Sequence, residues 1–231
     1  MKKAGVDRAV ELLADAWQIG NALPALPEEC RPKTAKDGMQ VQDALVRQLG
    51  IEVGGWKIGC TSEYAQKLLK TKGPFAGRVL APRIFASGIT LPGSAYRMRG
   101  LEGEFAFVLG KDLKPRKRPY TRSEMRAAVA EVRPAIELVD SRFADWMSVS
   151  TPCLMVDGKV VGEGKGADAL GDPFLALAWL ANELRTREGL KAGQIVSTGT
   201  CTGFHKAEPA AKVEADFGNL GKVSFTLIKV G

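Results

Sequence analysis

An α+β architecture rich in strands follows from the way the chain is punctuated. Apolar residues recur at helical spacing mainly near the N-terminus, and the rest is dominated by short apolar or alternating runs cut by Gly and Pro. Two of those strand-like runs carry carboxylates where core residues are expected.

Val6, Val10, Leu13 and Trp17 share one face of a helix over residues 6–19, which Gly20 stops. A Pro-rich connector, 23–32, leads to a second helix over 36–49 that uses Met39, Val41, Leu45, Val46 and Leu49. Gly54-Gly-Trp-Lys-Ile-Gly59 reads as a short strand, and 62–69 as a third helix. Residues 75–80, 84–91 and 101–109 read as strands, 121–132 as a helix capped by Thr121 or Ser123, and 134–140 as a strand. Asp157-Gly158 lies between apolar residues in 156–160, the pattern of a type I′ hairpin. Asp172 as N-cap and Pro173 at the first position start a helix that runs to Glu188 and stops at Gly189. Residues 194–197, 211–217 and 222–230 close the fold as strands. With no repeat or low-complexity linker, the order implies one α+β domain over 1–231, mainly helical to residue 70 and β from 71.

The formal charge of +7 favours an acidic partner, and Lys111-Asp-Leu-Lys-Pro-Arg-Lys-Arg-Pro119 is the densest basic run. Its prolines and lack of aromatics suit a solvated loop better than a nucleic-acid groove, so a small anionic substrate is expected and nucleic acid is not. Cys30, Cys60, Cys153 and Cys201 form no CxxC pair, which argues against zinc and against a disulfide framework. Asp7, Arg8, Glu11 and Asp15 interrupt the N-terminal segment, so no signal peptide is expected there. No apolar run reaches the ~20 residues of a membrane span, and the expected location is the cytoplasm.

In Gly100-Leu-Glu-Gly-Glu-Phe-Ala-Phe-Val-Leu-Gly110, Glu102 and Glu104 share a face with Ala106 and Val108, while Phe105, Phe107 and Leu109 point the other way. Side chains two apart on a strand stand roughly 6.5–7 Å from each other, so two anions there need water or a cation between them. In Pro134-Ala-Ile-Glu-Leu-Val-Asp140 another carboxylate, Glu137, interrupts an apolar strand, where it must be protonated, paired or metal-bound. Solvated strand ends explain each acid separately, whereas the three together suit an all-oxygen site for Mg²⁺ or Mn²⁺. Lys57, in a glycine-flanked apolar strand, reads either as a surface lysine or as a desolvated acid/base group.

These segments carry a resemblance. Gly54-Gly-Trp-Lys-Ile-Gly-Cys-Thr-Ser62, Glu102-Gly-Glu-Phe-Ala-Phe-Val-Leu-Gly-Lys-Asp-Leu113, Pro134-Ala-Ile-Glu-Leu-Val-Asp-Ser-Arg142 and Gly199-Thr-Cys-Thr-Gly203 occur in the order seen in 2-keto-4-pentenoate hydratases of the fumarylacetoacetate hydrolase superfamily. The similarity extends from residue 6 through Ala215-Asp-Phe-Gly-Asn-Leu-Gly-Lys-Val223 to the C-terminus, and related 4-oxalocrotonate decarboxylases look similar. The resemblance implies a mixed β-sandwich roll with peripheral helices and a divalent metal, Mg²⁺ or Mn²⁺, held by Glu102, Glu104 and Glu137. It puts the active-site lysine at Lys57, Thr200 and Thr202 in the stretch that approaches substrate, and Thr61 and Ser62 near the substrate carboxylate. Asp140 and Arg142 read equally as structural.

The implied reaction is hydration of a 2-hydroxy-2,4-dienoate, as in the breakdown of cleaved aromatic rings. A 4-oxalocrotonate-type decarboxylase, a C–C hydrolase using His205 and a noncatalytic family subunit are the alternatives. A homo-oligomer, or association with a decarboxylase of the same family, is implied as well. The sequence departs from the family's pattern twice. Asp145-Trp-Met-Ser-Val-Ser-Thr-Pro152 is shorter than its counterpart, and Ala76-Gly77 stands where many hydratases carry an Asp.

Overall fold

The computed structural model describes residues 1–143 and 155–230. Helices α1 (Lys3–Ile19) and α2 (Ala35–Leu49) open the chain and enclose a small core of Ala9, Val10, Leu26, Cys30 and Val41. A capping box starts α2: Asp37 N donates to Thr34 Oγ1 (3.1 Å) and Thr34 N to the Asp37 carboxylate (3.1 Å). Such a cap is worth about 1 kcal/mol. The remaining elements are β1 (Val53–Gly59), α3 (Glu63–Leu68), β2 (Phe75–Leu80), β3 (Ile89–Pro92), β4 (Gly100–Leu109), α4 (Arg122–Ala128), β5 (Val129–Val139), β6 (Met155–Val156), α5 (Pro173–Leu184), β7 (Ile195–Thr200), β8 (His205–Lys206), β9 (Ala211–Asp216) and β10 (Lys222–Ile228).

One sheet is ordered β2-β1-β7-β4-β5, with β8 beside β4, and the second is β3-β10-β9-β6. Both are mixed, because β1–β7 and β3–β10 are parallel pairs among antiparallel ones. One face of the larger sheet is covered twice. Trp56, Ile58, Phe107, Leu109 and Val196 pack against Leu177, Leu180 and Leu184 of α5. Leu101, Ile136 and Leu138 pack against Val213, Phe225 and Leu227 of the second sheet. Alternation along the strands turns Lys57, Ser197, Glu102, Glu104 and Glu137 to the opposite face.

The β2 edge is closed by α2. Gln42 Nε2 donates to Ala76 O (3.1 Å) and Gln42 Oε1 accepts from Arg78 N (3.1 Å), so the amide takes the place of a neighbouring strand. Arg78 also stacks on Trp56, 4.3 Å from the ring centroid, and pairs with Asp43 at 2.6 Å.

Several expected boundaries move. The helix expected over 121–132 ends at Ala128, because Val129 turns extended and its strand pairs with β4 from Leu109 to Gly100. Cross-strand packing of Val129 and Val132 outweighs the helix preference of the alanines around them. The strand expected over 84–91 forms only at Ile89–Pro92, after Gly88 turns at φ +87° and donates to Ser224 O (2.7 Å). Asp157 (φ 51°) and Gly158 (φ 78°) both take the left-handed conformation that a type I′ turn requires, and β6, which leads into that turn, pairs with β9. Helix α5 ends at Leu184, four residues early, and Gly189 N returns to Leu184 O (3.1 Å). The shortened stretch 145–152 lies outside the described residues.

Candidate metal centre and active-site face

The register of β4 against β5 builds the site. Glu102 is paired directly with Glu137, and Glu104 with Ala135, so the three carboxylates fall on one face of two adjacent strands. One oxygen from each lies within 4.8 Å of the others. The site is enclosed, with Glu104 only 1% exposed and the Glu137 side chain 19% exposed. Two like-charged residues directly opposite each other weaken a strand pair, so this arrangement costs stability unless a cation intervenes.

Lys57 supplies one. Its ammonium donates to Glu137 Oε1, and its stem crosses Gly77, where an added Cβ would lie 3.1 Å from Lys57 Cγ and Cε. The side chain keeps 39% of its surface exposed, yet the ammonium is enclosed enough for burial to oppose its charge. The attraction of Glu137, their hydrogen bond and the charges of Glu104 and Glu102 overcome that burial, and the Lys57 pKa is raised. Lys57 therefore stays protonated at neutral pH.

One ammonium does not balance three carboxylates. Burial first, then the charge of Glu137, pushes Glu102 up to about 8 against the pull of Lys57. Burial, Glu137 and Glu102 push Glu104 well above the usual carboxylate range, although hydrogen bonds from Ser197 and Gly199 oppose the shift. A buried, all-oxygen set short of positive charge fits a hard divalent cation.

A kink in β7 aims the donors at Glu104. Between the Glu104–Thr200 and Ala106–Ser197 pairs the register slips, and Gly199 sits at φ +94°. As a result Ser197 Oγ donates to Glu104 Oε2, and Gly199 N donates to the same oxygen at 3.1 Å. Only glycine fits, because a Cβ there would lie 2.2 Å from Thr61 Oγ1 and 3.0 Å from Ile58 O. Thr61, 5% exposed, is thereby packed against the backbone that holds Glu104.

Of the residues singled out in the sequence, Glu102, Glu104, Glu137 and Lys57 converge, and Thr61 lies beside Gly199. The other hydroxyls bond to backbone. Ser62 caps α3 by accepting from Ala65 N (3.2 Å), Thr200 donates to Gly203 O (2.9 Å), and Thr202 accepts from Gly103 N (2.9 Å). Asp140 accepts from Arg97 N and Met98 N (2.9 Å each), and Arg142 stacks 4.3 Å from the Trp17 centroid, so both tie β5 to its surroundings. His205 is paired with Leu101, one step out of phase with Glu102, and so belongs to the opposite face. Ser197 and Gly199 were not expected. Their signal was the polar Ser197-Thr198-Gly199 run that follows the apolar Ile195-Val196 pair.

No family model matches the chain. A 2-keto-4-pentenoate hydratase of Burkholderia vietnamiensis (strain G4 / LMG 22486) is 30% identical over 248 residues, covering 93% of this chain and 94% of the relative. Among solved structures, the 4-oxalocrotonate decarboxylase from Pseudomonas putida G7, complexed with calcium and acetate, superposes with a TM-score of 0.87 at 24% identity, covering 99% of each chain. A fumarylacetoacetate hydrolase from psychrophilic Exiguobacterium antarcticum superposes with a TM-score of 0.57 at 14% identity, covering 78% of this chain and 76% of that one. These likenesses establish the α+β roll of the fumarylacetoacetate hydrolase type.

Proposed function

The chain belongs to the 2-keto-4-pentenoate hydratase family, and from that we propose that it adds water to a 2-hydroxy-2,4-dienoate to give a 4-hydroxy-2-oxo acid. The observation that carries the reading is the convergence of Glu102, Glu104 and Glu137 within 4.8 Å, with Lys57 bonded to Glu137. The three carboxylates would hold a divalent ion, Mg²⁺ or Mn²⁺ by the hardness of the donors. Held there, such an ion would act as a Lewis acid toward the substrate's oxygens and would draw electron density from the conjugated chain.

The chain's own groups divide the remaining work. Glu104, fixed by Ser197 and Gly199, serves as a rigid ligand. Lys57 stays charged and hydrogen-bonded to Glu137, which puts a proton donor and an acceptor side by side. That pair takes the proton from the substrate's C2 hydroxyl and returns one at C5, giving an α,β-unsaturated ketone. Water then adds its oxygen at C4 and a proton goes to C3, so the net change is the addition of one water. The Thr61 hydroxyl, packed beside Gly199, is assigned to the substrate carboxylate. Ser62, Thr200 and Thr202 act through the loops that their hydroxyl bonds shape.

The charge of +7 suits an anionic substrate. No helix among the described residues is long and apolar enough to cross a membrane. A homo-oligomer, association with a related decarboxylase and a cytoplasmic location belong to the same proposal. The test is the ultraviolet loss of 2-hydroxypenta-2,4-dienoate with Mg²⁺ or Mn²⁺, with and without chelator. Chelator-sensitive formation of 4-hydroxy-2-oxopentanoate is expected. Release of CO₂ from a 2-oxo diacid, with no hydration of the dienoate, would replace the hydratase reading with a decarboxylase.

A further inference from the structure

We propose that Phe204 is the specificity wall of this site and sets the length of the substrate's alkenyl tail, an inference that rests on the hydratase reading. Strand β8 pairs Gly100 with Lys206 and Leu101 with His205. Continued by one residue, that register puts Phe204 opposite Glu102. The ring leans over Gly100, where an added Cβ would lie 2.1 Å from Phe204 Cε2, 2.4 Å from Cζ and 3.1 Å from Val139 Cβ. Gly100 shares the face of Glu102, and Val139 the face of Glu137, each two residues away. The ring and Val139 thus close the carboxylate face about one side-chain step, roughly 6.5–7 Å, beyond the acids.

Polarity decides which way the substrate points. Its oxygens belong at the carboxylate cluster, and Lys57 and Ser197 occupy that cluster's other side. The apolar C4–C5 end therefore finds its matching surface at Phe204 and Val139. The bare backbone of Gly100 is what lets the ring lie there, because any side chain at 100 would displace it. Extra carbons beyond C5 would meet the ring edge.

The experiment compares kcat/KM for 2-hydroxypenta-2,4-dienoate and 2-hydroxyhepta-2,4-dienoate in the wild type, Phe204→Leu and Phe204→Ala. The ratio of long to short substrate should rise about tenfold or more in Phe204→Ala and less in Phe204→Leu, as expected when a pocket gains room for methylenes. A ratio that stays constant while the enzymes turn over both dienoates overturns the inference and leaves the hydratase reading intact. Calorimetric Kd values for 2-oxopentanoate and 2-oxoheptanoate with Mn²⁺ provide a readout without turnover. The same shift in their ratio supports the wall, and an unshifted ratio rejects it. Shifted binding without hydration of either dienoate would reject only the hydratase reading. If Phe204→Ala does not fold, the Leu variant carries the comparison.

Discussion

Ser197 illustrates how a single hydroxyl sets the behaviour of a buried acid. Glu104 is fully enclosed, and burial and the neighbouring acids hold its pKa well above the usual carboxylate range, while Ser197 Oγ and Gly199 N both donate to one of its oxygens and offset part of that shift. Removing the hydroxyl leaves the Gly199 bond and frees the carboxylate to rotate. Ser197→Ala is therefore expected to weaken divalent-ion affinity roughly tenfold, the usual scale for groups that orient a ligand. Its fold, followed by circular dichroism, should be unchanged. Equal Mn²⁺ affinity in variant and wild type would show that the hydroxyl does not orient Glu104. The carboxylates themselves were legible in the sequence because a charge in an apolar strand demands an explanation. Ser197 was harder to see, since a serine in a strand carries no such penalty and its partner is 93 residues away.

Elements were legible wherever a local signal had no long-range competitor. The N-cap of α5 is an example, since Asp172 accepts from Phe174 N (2.8 Å), Pro173 occupies the first position, and the helix begins where expected. Strand β2 likewise runs from Phe75 to Leu80 as read from the sequence. The boundary between α4 and β5 was not legible, because pairing with β4 decides where the helix ends. The kink in β7 was hidden for the same reason, as its register depends on Glu104 and Ala106 in another strand. Asp172 also binds Arg122 of α4, so the cap joins two helices over the core. Asp172→Ala should cost about 1 kcal/mol in chemical denaturation, with metal affinity unchanged, because α5 lies on the face opposite the carboxylates. A loss of metal affinity with unchanged stability would contradict that separation.

Taken together, the two sheets bury one face of β4 and leave its other face to chemistry. The covered face gains from packing with α5 and the second sheet, while the opposite face carries three acids that disfavour the metal-free state. Proton linkage gives this a sign. Glu102 is raised from 4.5 to about 8, so its favourable contribution to the metal-free fold is fully present below pH 4.5 and is lost as pH rises through about 8. A divalent ion must displace that proton, and its affinity should climb across the same window. The carboxylate face was legible from three apolar strands interrupted by charge and from the resemblance they carry. Which residues support those charges depends on register and could not be read locally.

The most direct test is a calorimetric Mn²⁺ titration of the wild type and Glu104→Gln at pH 6.5 and 8. The wild type should bind more tightly at the higher pH, by up to about tenfold per unit for a displaced proton. Glu104→Gln should remain folded but lose affinity by about a hundredfold at either pH. Affinity that is independent of pH in the wild type and equal in the variant would contradict a metal centre built on Glu102, Glu104 and Glu137.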